Sequence, residues 1–113
     1  MANIPLNKFI NITHDVTTNL DTIYTVPLGT TSIVLMAQVA NIGTTVETVT
    51  FQHYSFSRAK TTRVILDIKV PTNDARILLG GKLVLQTGDQ LQIVGSDGGT
   101  LEFIASILET ANQ

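Results

Sequence analysis

Thr62-Arg63-Val64-Ile65-Leu66-Asp67-Ile68-Lys69-Val70 sets the pattern of the chain. Val64, Leu66, Ile68 and Val70 fall on even positions, while Arg63, Asp67 and Lys69 fall on odd ones. A period of two is the spacing of a β-strand, whose successive side chains point to opposite faces. The same alternation recurs outward along the chain. Ile33, Leu35, Ala37 and Val39 form a second period-2 face, and Leu101, Phe103, Ala105 and Ile107 a third. Leu83 with Leu85, and Leu91 with Ile93, repeat it in shorter runs. Thr, Ile and Val supply 39 of the 113 residues, and their β-branched side chains suit a pleated surface.

Turn formers fall where these runs should stop. Pro27-Leu28-Gly29, Asn41-Ile42-Gly43, Pro71, Gly80-Gly81, Thr87-Gly88-Asp89 and Gly95-Ser96-Asp97-Gly98-Gly99 punctuate the chain. The pattern predicts strands near Lys8–His14, Thr22–Val26, Ser32–Ala40, Val46–Phe56, Thr62–Val70, Arg76–Leu79, Lys82–Gln86, Gln90–Gly95 and Thr100–Leu108. Short strands at this spacing predict an all-β fold, an antiparallel β-sandwich (jelly-roll or Ig-like) of about eight strands. Residues 104–111 could also form a helical turn, although the alternation from Leu101 favours a strand. In Val46–Phe56 the odd Val49 and Phe51 give way to the even Tyr54 and Phe56, which predicts a bulge near Gln52-His53.

Composition narrows the function classes. The 113 residues are 43% hydrophobic and 14% charged, with seven Lys and Arg against nine Asp and Glu. So few charges argue against a disordered tail and against a nucleic-acid binder. Without cysteine, no disulfide framework or thiol nucleophile is available. No apolar run reaches the ~20 residues of a membrane helix. The start, with Asn3, Pro5, Asn7 and Lys8, does not resemble a secretory signal, so Asn11-Ile12-Thr13 is discounted as a glycosylation site. The expectation is a soluble single β-sandwich over residues 8–113. Residues 1–7, apolar at Met1, Ile4 and Leu6 and stiffened by Pro5, are expected to form an arm.

Catalytic constellations are thin. His14 and His53 have no second His or Cys at ligand spacing, and His14-Asp15 should point to opposite faces of its strand. None of Ser32, Ser55, Ser57, Ser96 and Ser106 lies in a nucleophile elbow. Asp21, Asp74, Asp89 and Asp97 fall at predicted turns, where Asp caps the backbone. Gly95–Gly99 precedes a predicted strand, not a helix, so it reads as a hairpin loop instead of a phosphate cradle. No enzyme activity, cofactor or metal is expected.

Two groups suggest contacts instead. Val34, Met36, Ile65, Ile104 and Leu108 fall on the supposed outer faces of their strands and, with Ile4 and Leu6 of the arm, are the candidate subunit interface. Arg58, Lys60 and Arg63 form the one basic cluster, a candidate contact with a partner surface. All four phenylalanines read as core, and Tyr24 and Tyr54 are the remaining aromatics, so no aromatic platform for a glycan stands out.

Four stretches carry a resemblance. They are Ile23-Tyr24-Thr25-Val26-Pro27-Leu28-Gly29-Thr30-Thr31-Ser32-Ile33-Val34, Ala37-Gln38-Val39-Ala40-Asn41, Gly81-Lys82-Leu83-Val84-Leu85-Gln86-Thr87-Gly88-Asp89-Gln90-Leu91-Gln92-Ile93 and Gly99-Thr100-Leu101-Glu102-Phe103-Ile104-Ala105-Ser106-Ile107-Leu108-Glu109. Their order resembles small virion structural proteins of tailed bacteriophages, including cyanophages, from about Ile23 onward. The resemblance implies a non-enzymatic virion protein, assembled in the host cytoplasm, that decorates or cements the capsid exterior. The alternative it implies is a tail or tail-fibre module that binds a host receptor or glycan. The expected partners are copies of itself (a trimer favoured) and the major capsid protein or other virion proteins, with no nucleic acid and no membrane.

Overall fold

The structure, a computed structural model, describes residues 7–112. Nine strands follow one another: β1 (Asn7–Asp15), β2 (Asp21–Thr25), β3 (Thr30–Asn41), β4 (Glu47–Ser55), β5 (Lys60–Val70), β6 (Asp74–Ile77), β7 (Leu83–Leu85), β8 (Gln90–Gly95) and β9 (Leu101–Ala111). Residues 104–111 continue as strand, so the helical alternative is excluded.

All pairings are antiparallel. Sheet A runs β1-β9-β3, with β6 and β7 end to end along the far edge of β3. Sheet B runs β2-β8-β4-β5. The chain repeatedly crosses from one sheet to the other, so that β1, β9, β3 and the β6/β7 edge face β2, β8, β4 and β5. That order is a jelly roll, the two-sheet form of paired Greek keys. Gly95–Gly99 therefore leads from sheet B to sheet A and does not close a hairpin, correcting the expectation for this loop.

Between the sheets lies one core. Val16, Val26, Val34, Val39, Val49, Phe51, Val70, Leu85, Leu91, Ile93, Leu101 and Ile107 are all buried, and the Phe51 and Phe103 rings meet across the layers at 5.5 Å. Polar atoms inside are paired. Tyr24 of sheet B reaches over to sheet A, where its hydroxyl lies 2.7 Å from Ser32 Oγ and donates to Glu109 Oε2. Burial and then the Glu109 carboxylate hold the Tyr24 phenol far above its ordinary range. Buried Asn41 donates from Nδ2 to the carbonyls of Thr45 (2.8 Å) and Val70 (2.9 Å) and accepts from Gly43 N–H at 2.9 Å. It thereby ties the β3–β4 connection to the end of β5. Gly43 is required there, because a Cβ would sit 2.8 Å from Thr100 Cβ.

Three expectations about faces are overturned, two of them by bulges. In β3 the register against β9 slips between Val34 and Met36. Ser32 and Val34 then point inward ahead of the slip, and Ala37, Val39 and Asn41 after it. Counting in twos back from Ala37 wrongly turned Ile33 and Leu35 inward and Val34 outward. Val34 is fully buried and leaves the candidate interface.

The irregularity expected in β4 lies in β5 instead. Val49 faces Ile68, Phe51 faces Ile65, and Gln52 faces Arg63, so both extra residues belong to β5. Asp67 takes the left-handed conformation at one of these bulges, with φ 49°. Its N–H donates to Thr50 Oγ1 at 3.0 Å, and that hydroxyl lies 3.2 Å from Asp67 Oδ1. As a result Ile65 packs against the core and Leu66 is 63% exposed, which removes Ile65 from the candidate interface too.

The third correction concerns aromatics. Phe51 and Phe103 are core, but Phe9 is 73% and Phe56 67% exposed. Ile10 and Ile12 take the inward parity of β1, which turns Phe9 outward.

Candidate functional site

The two outer faces differ in chemistry. On sheet B, Gln52 Nε2 of β4 donates to Gln92 Oε1 of β8 (2.7 Å) and Gln92 Nε2 to Gln90 Oε1 of the same strand (3.1 Å), a polar ladder that crosses once between strands and then runs along β8. On sheet A the strand register aligns Phe9 of β1 with Leu108 of β9, Leu108 with Ile33 of β3, and Ile33 with Val84 of β7. Directly paired residues share a face with Cα atoms about 4.5–5.5 Å apart, so these four side chains form one continuous apolar row. Phe9 and Val84 are exposed, at 73% and 58%, and Leu108 and Ile33 are half-buried. A second row aligns Thr13, Ile104, Gln38 and Ile77, of which Ile77 is 61% and Ile104 38% exposed. Half-buried Met36 lies between the rows, opposite Ser106.

The structure thus brings Met36, Ile104 and Leu108 together on one face and adds Phe9, Ile33, Val84 and Ile77, which sequence reasoning missed. Val34 and Ile65 belong to the core layer, and Ile4 and Leu6 lie outside the described residues. The sequence signal for Phe9 was its parity opposite Ile10 and Ile12, and for Val84 its place between Leu83 and Leu85; neither marks the two as members of one row.

The basic cluster divides. Arg58 and Lys60, on and just after the β4–β5 turn, line an open hollow of about 280 Å³ with His53, Ser55, Thr62 and Asp89. Arg63 lies outside it, opposite Gln52 in β5. Asp89, 3% exposed, anchors this pole of the sandwich. It accepts from His53 Nε2 (2.9 Å), Phe56 N–H (3.0 Å) and Gln86 N–H (3.0 Å), joining the β4–β5 turn to the β7–β8 turn. Burial alone would raise the Asp89 carboxyl. The His53 ring and the two amides outweigh it and hold the group below its ordinary value. Phe56 covers the same turn, where Gly88 has φ +85° and a Cβ would lie 2.9 Å from the ring.

At the opposite pole His14 Nε2 lies 3.0 Å from Asp21 Oδ2, the same oxygen that accepts from Thr17 Oγ1 at 2.7 Å. Thr17 first and His14 second hold the Asp21 carboxyl below its ordinary value. In nucleophilic catalysis the hydroxyl must reach the imidazole, and here it reaches the carboxylate. Neither His–Asp pair was foreseen, because the partners come from different strands or turns. Among the described residues, no group of three His, Cys, Asp or Glu could hold a metal ion. No helix among them is long and apolar enough to cross a membrane.

No protein-family model and no curated protein matches the sequence. Solved structures match its fold. A protein of the T13 infectious bursal disease virus particle superposes with a TM-score of 0.60 at 11% identity, covering 96% of this chain and 32% of that one. The infectious bursal disease virus Gx strain gives 0.58 at 13%, covering 95% and 32%. A Bacillus endospore appendage protein, of a family of disulfide-linked pili, gives 0.57 at 13%, covering 100% and 98%. The chain spans about a third of the length of the viral proteins it matches. These similarities overturn the resemblance to tailed-bacteriophage proteins, since the viral matches belong to a non-tailed icosahedral virus. They establish the fold as a two-sheet antiparallel β-sandwich of nine strands.

Proposed function

We propose that this chain is a non-enzymatic structural subunit of a viral particle, which coats or cements the shell through contacts with copies of itself and with other particle proteins. The observation that carries this reading is the apolar row Phe9–Leu108–Ile33–Val84 on the outer face of sheet A. Covering Phe9 alone removes about 150 Å² of apolar surface from water, worth about 3–4 kcal/mol. A row of four on one sheet face is the form of an interface core, whereas single exposed apolar residues are ordinary. The fold supports the reading, since proteins of the infectious bursal disease virus particle contain a similar sandwich.

In this reading sheet A faces a neighbouring subunit in a closed homo-oligomer, a trimer favoured. Asn7 already pairs with Thr110 in β1, so the proposed arm is cut back to residues 1–6, which lie outside the described residues, and its role is to pack on that neighbour or on the shell.

A second reading, a fibre subunit, is favoured by one observation: the endospore appendage protein matches over the full length of both chains. Disulfide links between subunits would be impossible here, because the chain has no cysteine. Sedimentation velocity of the wild type and of Leu108→Lys tests the proposal. The wild type should sediment as a discrete oligomer, and Leu108→Lys, still folded by circular dichroism, should associate about 100-fold more weakly. A wild type that is monomeric at tens of micromolar overturns it, and open-ended fibres that persist in electron micrographs at 0.5 M salt select the second reading.

A further inference from the structure

The strands run along the 54 Å axis of a molecule that is 28 by 22 Å across, since the twelve residues of β3 alone need about 40 Å. The sandwich therefore has two poles. At one lie the β2–β3 loop, the β4–β5 turn and the β7–β8 turn; at the other lie the β1–β2, β3–β4, β5–β6 and β8–β9 connections. Charge is sorted between them. The second pole carries Asp15, Asp21, Glu47, Asp74, Asp97 and Glu102. The cations beside them are Lys69 and Arg76, the latter bridged to Asp74 at 2.9 Å, together with His14 at Asp21. The first pole carries exposed Arg58 and Lys60, neither of which has a carboxylate within 4 Å among the described residues. Its own acids are already engaged, Asp89 with His53 and two amides, and Glu109 with the Tyr24 hydroxyl and opposite Lys8.

Apolar tips accompany both charges. Leu28 is 94% and Phe56 67% exposed at the basic pole; Leu20 at 51%, Ile42 at 58% and Val46 at 56% are exposed at the acidic pole. Loop tips are usually polar, so apolar residues at both poles, ringed by opposite charge, have the make-up of complementary contact surfaces.

We propose that a second copy of this chain docks head to tail, its acidic pole on the basic pole of the first. The contact is distinct from the sheet A face and goes beyond the proposed function, because it would operate in a shell or a fibre alike. Such a contact is heterologous, so it repeats into a ring or an open row. The cross-section limits its strength: an end-on footprint is on the order of 500 Å² per copy, at the low end of specific interfaces. Alone it is weak and sensitive to salt; within an assembly already joined through sheet A it sets the axial neighbour.

Zero-length carbodiimide cross-linking of the full chain tests this. Lys60 and the acidic pole are separated by the length of β5, about 33 Å, so no copy can link its own Lys60 to its own Asp97 or Glu102. At about 10 mM salt, peptides joining Lys60 to Asp15, Asp97 or Glu102 should appear between isotopically distinct copies, and should fall at least about tenfold at 0.5 M salt. In the Leu108→Lys background, where sheet A no longer holds copies together, adding Arg58→Glu with Lys60→Glu should abolish the remaining low-salt association by sedimentation, and mixing that variant with Asp97→Lys, Glu102→Lys in the same background should restore it. Leu108→Lys, which disables the sheet A face, should keep the Lys60 links. Links confined to carboxylates of the basic pole, association indifferent to charge reversal, or loss of the links in Leu108→Lys would each overturn the proposal.

Discussion

Replacing Asp89 by Ala removes one carboxylate and leaves three donors without their acceptor: His53 Nε2, Phe56 N–H and Gln86 N–H. A hydrogen bond to a charged group contributes about 1.5–3 kcal/mol, and a buried donor left unpaired costs about 1–3 kcal/mol. The three bonds share one carboxylate, and the Phe56 amide sits on an exposed turn that water can reach. The total is therefore nearer about 3–4 kcal/mol than the full sum. Unfolding entropy for 113 residues is about 240 cal/mol/K, so the melting temperature should drop by about 12–17 °C. Calorimetry at pH 7 measures this directly. The acid limb gives a second check. Because the folded Asp89 carboxyl titrates below its unfolded value near 3.9, its contribution is present above that pH and is lost as pH falls through the folded value. The gap between wild type and Asp89→Ala should accordingly narrow below about pH 4. A loss under about 1 kcal/mol at pH 7, or a gap that widens in acid, would refute the role given to Asp89.

Two other substitutions examine the interior. Tyr24→Phe should cost about 1–3 kcal/mol in urea unfolding, because it leaves the fully buried Ser32 hydroxyl without its cross-sheet partner; an unchanged midpoint would contradict that pairing. Val34→Ala should cost about 2 kcal/mol and Ile33→Ala under about 1 kcal/mol in the isolated chain, and the reverse order would place the β3 bulge elsewhere.

Strand β8 was legible to the residue. Leu91 and Ile93 alternate strictly between two turn clusters, and β4 keeps its register along the whole strand, while the slip against β2 between Thr22 and Tyr24 puts its extra residue in β2. The parity of β3 and β5 was not legible. A bulge shifts every side chain beyond it to the other face, and composition does not mark where the extra residue goes. Asp67 is an instance: it reads as an ordinary polar position in an alternating strand, yet it holds φ 49° and is capped by Thr50 from another strand. The same failure placed Val34 and Ile65 in the candidate interface. Met36, Ile104 and Leu108 were found because each lies where local alternation gives the right parity. Phe9 and Val84 complete the row only through cross-strand register, which depends on β1 and β7 flanking the β9–β3 pair. His53 and Asp89 are 36 residues apart, and nothing local to either announces the other.

The central claim is that another protein chain covers the outer face of sheet A. A density map of the assembled particle, or of the isolated oligomer, at a resolution that shows side chains tests it most directly. Phe9, Leu108, Ile33 and Val84 should be packed against a neighbouring subunit, with half-buried Gln90 and Gln92 at the outer end of the sheet B ladder left facing solvent. A map with the ladder face covered and the apolar row open to water would contradict it.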